Sequence, residues 1–156
     1  MLSVSNPPVI TYTAPTHILR RFAQSRGVWL HGHEPMRQST QHIIDSSRFA
    51  GMHLDLLTYV DLPVIPFWRY DLIVLEQGRS QPMAAMVTSI KRARWLSSAP
   101  LVVLARRITP EATIAGLKAG ADSVVSFRSP ESVLLAHWGA MLNRWKAASK
   151  FTNRAS

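Results

Sequence analysis

The chain of 156 residues contains no cysteine, which removes disulfides, thiolate catalysis and cysteine-ligated metals together and leaves the compartment open on redox grounds. Acidic residues are scarce. Nine Asp and Glu stand against 18 Lys and Arg, a formal net charge of +9, and no acid occurs before Glu34. No apolar run approaches the roughly 18 residues of a membrane helix. The start, MLSVSNPPVITYTAP, lacks the basic-then-apolar order of a secretion signal, so the cytoplasm is the expected compartment. No P-loop, GxGxxG or nucleophile elbow occurs, and neither enzyme activity nor a cofactor is expected.

What is present describes one globular domain: 47% of residues are hydrophobic and 17% charged. The positive excess attracts anionic partners through its long-range field without specifying which. Residues 1–26 read as an extension in which Pro7, Pro8 and Pro15 break regular structure. A short helix candidate follows from Thr16, with Ile18, Leu19, Phe22 and Ala23 on its apolar side and a stop at Gly27. It is expected to pack on the domain edge; a basic docking arm or an organelle transit peptide are the alternatives.

From Gly27 short apolar runs alternate with longer helical patterns, as in a parallel sheet covered by crossover helices. Five strands are predicted at Val28 to His31, Met52 to Tyr59, Asp71 to Glu76, Pro100 to Ala105 and Asp122 to Ser126. Pro35 can open a helix at its first position, with Arg37, His42 and Ser46 outward and Ile43, Ile44 and Phe49 inward. Another helix is predicted from Met83 to Trp95, with Met86, Val87, Ile90 and Leu96 inward. Thr109-Pro110-Glu111 and Ser129-Pro130-Glu131 each combine a capping hydroxyl, a proline and an acid in the first turn, which starts two more helices. Pro63 and Pro66 preclude a helix in the second gap, where a short turn or irregular segment is expected.

Four runs, VWLHGHEP at 28–35, YDLIVLE at 70–76, APLVVLA at 99–105 and GLKAGAD at 116–122, resemble in order and spacing the receiver domain of bacterial response regulators. The resemblance covers about residues 27–147 and implies a doubly wound, five-stranded parallel sheet of order 2-1-3-4-5, flavodoxin-like, followed by a basic tail at 148–156. Carried over residue by residue, the family's acidic pair falls on Gly32 and His33, ahead of Glu34. Its phosphoacceptor falls on Glu76, its hydroxyl on Ala105, its lysine on Phe127 and its switch aromatic on Val124. Every chemical role is altered, because the family's chemistry needs carboxylates around Mg²⁺, an attacking aspartate and a neutralising lysine. A one-residue slip would instead place Arg128 at the lysine position.

The expectation is therefore a degenerate, phosphorylation-independent pseudo-receiver that binds a protein partner in bacterial signalling or transcriptional regulation, with no effector domain after residue 147. A fragment of a longer regulator is the alternative. His31, His33, Arg79, Arg106, Arg107 and Arg128 fall at the carboxyl edge of the sheet, where ligands of open α/β folds bind. There Glu76 is expected to pair with Arg106 or Arg128 and imitate a phosphorylated aspartate, against the alternative of a solvent-facing Glu among solubilising arginines. His31 and His33 with Glu34 and His53 or Glu76 could gather a metal, but ordinary strand-end hydrogen bonds are the expected role and no metal is assigned.

The last helix carries Val133, Leu134, Trp138, Met141, Leu142 and Trp145. With Val124 on the fifth strand, Leu134, Trp138, Met141 and Trp145 form the candidate face for a homodimer or partner, since receivers commonly associate there; core filling is the alternative. Two further readings remain: a nucleic-acid-associated regulator using Arg20, Arg21, Lys91, Arg92 and Arg94, and a sensor of a small phosphate-bearing ligand using Arg79, Arg106, Arg107 and Arg128.

Overall fold

The computed structural model describes residues 22–154, with side chains to residue 150; Ile18, Leu19, Arg20 and Arg21 lie outside the described residues. Five strands form a single parallel sheet of order β2-β1-β3-β4-β5. They are β1 (Arg26–His31), β2 (His53–Thr58), β3 (Leu72–Glu76), β4 (Leu101–Ala105) and β5 (Ser123–Ser126). The helices are α1 (Gln38–Phe49), α2 (Met83–Leu96), α3 (Pro110–Ala119) and α4 (Glu131–Arg154). The strands form where apolar runs can be covered on both faces: β3 and β4 are buried almost throughout.

Two apolar layers enclose the sheet. One gathers Phe22, Trp29, Ile43, Ile44, Val74 and Trp138 beneath α1 and α4. The other gathers Val28, Leu30, Phe67, Met86, Ile90 and Val103 beneath α2 and the second crossover. That crossover consists of two 3₁₀ turns, Tyr59–Val64 and Phe67–Arg69, as Pro63 and Pro66 require. Thr58 caps the first of them, exchanging bonds with Asp61.

Several local expectations are corrected. The helix drawn toward Gly27 does not reach it: residues 22–24 form a turn, Gln24 has a positive φ of 61°, and β1 begins at Arg26. Gly27 sits inside β1, where a Cβ would come within 2.8 Å of Met52 Sδ and 2.9 Å of Leu54 Cδ1. Glycine fits there by close approach of the Met52 and Leu54 side chains, and does not end a helix. Pro35 does not open α1, which starts at Gln38 after Arg37. Phe49 points outward at 70% exposure, because the inward stripe of α1 passes through Thr40, Ile43, Ile44 and Ser47.

Thr109 caps α3 as expected, its hydroxyl accepting from the Ala112 N–H at 3.1 Å. The last helix, α4, continues through Arg154, so residues 148–154 are helical. Its apolar stripe is largely core: Leu134, Trp138, Met141 and Leu142 are buried, and Trp138 meets Trp29 edge to face at 5.7 Å between ring centroids. Leu134, Trp138 and Met141 are thus removed from the candidate interface. Val124 and Trp145 are half-buried against the opposite layer. Among the described residues, no helix is long and apolar enough to cross a membrane.

Candidate functional site

The carboxyl ends of β1, β3 and β4 converge, as a parallel sheet dictates, and carry Gly32, Glu34, Glu76, Gln77 and Arg106 to one edge. With His31, Pro35, Met36, Arg37 and Gly78 these residues close on a cleft of about 20 Å³, room for little more than one water molecule. Ala105 is fully buried at the end of β4, and His33 is exposed in a neighbouring groove with Tyr59 and Arg79.

Glu76 does not pair with Arg106 or Arg128. Its Oε2 accepts the indole N–H of Trp29 at 3.0 Å and its Oε1 accepts the Thr40 hydroxyl at 3.2 Å. The backbone carbonyl of Glu76 accepts the phenol of Tyr59 at 2.8 Å. Burial, with the Glu76 carboxylate adding to it, pushes the Tyr59 phenol well above its ordinary range, so it stays neutral and donates. These bonds turn Glu76 inward, across α1 and β1, and tie it into the core.

The arginine-facing acid is Glu34. Its Oε1 accepts the backbone N–H of Arg79 and lies 3.7 Å from Arg106 Nη2. The Arg79 backbone bond, then a bond to its own backbone, and more weakly Arg106 and the Arg79 guanidinium hold the Glu34 carboxyl below its usual range against partial burial. Gly32 makes this placement possible. A Cβ at position 32 would overlap Glu34 Oε2 and come within 3.3 Å of Gly78 Cα. The space beside Gly32 is therefore filled by a carboxylate delivered from two residues downstream. Gln77 and Gln81 brace the facing loop: Gln77 accepts from Arg106 N–H at 3.0 Å and donates to the Gln81 carbonyl at 2.8 Å.

Phe127 follows β5 directly, its N–H bonded to the Ala105 carbonyl at 3.1 Å, which places it, and not Arg128, beside the end of β4. Three guanidinium groups surround its ring, with Cζ atoms 3.8 Å (Arg37), 5.4 Å (Arg128) and 5.8 Å (Arg106) from the centroid. Positive charge beside Phe127 is thus supplied by neighbours. Arg37, expected merely to face outward from α1, is half-buried. Partial burial and then Arg106 lower its pKa below the ordinary guanidinium range, opposed by Glu76. Arg79 and Arg107 are exposed and do not join the ring.

The Mg²⁺ that such a fold implies does not fit these residues. The two carboxylates at the edge, Glu34 and Glu76, are each engaged by protein donors, and no group of three His, Cys, Asp or Glu able to hold a metal occurs among the described residues. A histidine site fails on geometry: His31 Nδ1–H bonds the Gly32 carbonyl at 2.8 Å. His53, beside Arg26 at the other end of β1, is about 16 Å away along the strand. Arg94 is likewise withdrawn from a nucleic-acid face, since it donates to the Gly120, Ser97 and Ala99 carbonyls and pairs with Asp122 at 2.8 Å.

The sequence pattern did not foretell the partners of Glu76, which lie 47 and 36 residues away. The glycine at 32 followed two residues later by Glu was the available signal for the substitution of one carboxylate by another.

No protein-family model matches the sequence, and no curated protein matches it. Solved structures do. A two-component response regulator from Clostridium difficile is similar at 20% identity with a TM-score of 0.60, covering 78% of this chain and 98% of that one. A CheY-like receiver domain protein from Methanospirillum hungatei is similar at 14% identity and 0.61, covering 80% and 98%. An orphan response regulator of H. pylori is similar at 18% and 0.61, covering 77% and 98%. Strand order, crossovers and these likenesses agree: the fold of this chain is that of the response-regulator receiver domain.

Proposed function

We propose that the chain is a pseudo-receiver, a signalling module that binds a protein partner without being phosphorylated. The observation that carries this reading is the engagement of Glu76: the side chain at the phosphoacceptor position has both oxygens bonded to core donors, beside a cleft of about 20 Å³. Phosphoryl transfer would need an unencumbered nucleophile, room for a phosphoryl group and oxygen ligands for a cation. None of the three is offered at this edge.

The partner face in this proposal is α3 with β5, where Ile114 and Leu117 are about half exposed and Val124 lies beneath Gly116. A second copy of the chain is one such partner. Incubation with acetyl phosphate and Mg²⁺, followed by intact-mass measurement, tests the reading. No phosphoryl adduct is expected; a stable phosphoprotein would overturn it.

A further inference from the structure

We infer that the groove between α1 and the start of α4 binds a ligand carrying two or more linked phosphates, held by Arg37, Arg106 and Arg128 around Phe127. The groove measures about 570 Å³ and is lined by Gln38, Ser39, His42, Phe127, Arg128 and Ser129, with Ile43 and Glu131 completing it. That size suits a small molecule rather than a single phosphate.

Phe127 and Arg128 line the groove itself; Arg37, next to the groove residue Gln38, and Arg106 reach the same ring from the small cleft at the strand ends. Three guanidinium groups lie within 6 Å of one ring centroid, and bringing like charges this close is unfavourable unless an anion joins them. Glu34 offsets Arg106, and the Glu76 carboxylate acts on Arg37 at longer range. Glu76 is held by Trp29 and Thr40, Glu34 by the Arg79 N–H with Arg106 at its side, and the groove's own acid, Glu131, is taken by His42. No carboxylate lies within ion-pair distance of Arg37 or Arg128 among the described residues.

Guanidinium groups bind phosphate oxygens in a fixed fork, and a groove of about 570 Å³ has room for more than one phosphate group. The hydroxyls of Ser39 and Ser129 and the amide of Gln38 add neutral donors along the groove. A nucleoside triphosphate and an inorganic oligophosphate share this chemistry. The inference deepens the proposed function by naming a regulator in the groove beside the closed cleft, bound reversibly and without covalent transfer.

Binding of tripolyphosphate, ATP and adenosine to the full chain, followed by calorimetry at physiological salt, tests it. Tripolyphosphate is expected to bind and adenosine is not. ATP binding tighter than tripolyphosphate identifies a nucleotide ligand, and equal affinities an inorganic one. Arg37→Ala and Arg128→Gln should each weaken tripolyphosphate binding about tenfold, while Lys118→Gln, which removes the same charge from exposed α3, should change it less than about twofold. Circular dichroism checks that each variant folds. Absence of tripolyphosphate and ATP binding, or equal losses in all three variants, would overturn the inference. Covalent phosphorylation, read separately by mass, would overturn the pseudo-receiver reading instead.

Discussion

Trp29 and Glu76, 47 residues apart in sequence, are joined by an indole N–H to carboxylate hydrogen bond of 3.0 Å. It ties the end of β3 to the middle of β1 beneath α1. Trp29→Phe keeps most of the ring volume but leaves one oxygen of a half-buried carboxylate without its donor, so a loss of about 2–3 kcal/mol is expected in urea unfolding. A change below about 0.5 kcal/mol would show that the bond carries little.

Gly32 and Glu34 are coupled through shared space. Gly32→Ala must displace the Glu34 carboxylate and is expected to cost about 1–2 kcal/mol, through lost bonds to Arg79 N–H and Arg106. In a Glu34→Ala background the same substitution should be close to neutral. Additive losses in the double variant would contradict the overlap.

Acid stability should report Glu34. Its folded-state pKa lies below the ordinary 4.5, so the unfolded chain binds the proton more readily and stability rises with pH in this range. The contribution is fully present above the unfolded value and fades as pH falls through the lower folded value. Wild type and Glu34→Gln should therefore differ by a constant amount above about pH 5, and converge in melting temperature as the pH drops below 4.

The tryptophans divide by environment. Trp29 and Trp138 are buried, whereas Trp68 and Trp95 are 63% and 85% exposed. Acrylamide should quench the emission lost in Trp68→Phe and Trp95→Phe and leave that of Trp29 and Trp138 largely unaffected. Trp138→Ala should cost about 3–5 kcal/mol, with no route to a weakened dimer that leaves the fold intact.

The sheet was legible because β3 and β4 are continuous buried runs, whose composition alone distinguishes them from exposed strands. The second crossover was legible because Pro63 and Pro66 disfavour a regular α-helix there, leaving short 3₁₀ turns. Phe49 was misread because periodicity fixes which residues share a stripe, but packing against the sheet decides which stripe turns inward. The aromatic face of α4 was read as an interface because the sequence does not reveal the depth of the layer that Trp29 and Phe22 build opposite it.

At the site, the kinds of residue were readable and their pairings were not. That positions 32, 33, 105 and 127 hold Gly, His, Ala and Phe is read directly from the sequence. That Glu34, rather than Glu76, would take the arginine contacts depended on how the loops at 32–37 and 77–81 fold against one another. Arg37 was overlooked because a residue preceding a helix gives no sign of which aromatic ring its side chain will cover.

Glycine at 32 also limits how this sequence can change. An aspartate introduced there alone would evict the Glu34 side chain from its seat before any replacement cation site existed, while removing Glu34 first would leave Arg106 without its acid. Either single substitution, Gly32→Asp or Glu34→Ala, is therefore expected to give a less stable chain. The two positions change at least cost together, and the present arrangement resists stepwise substitution.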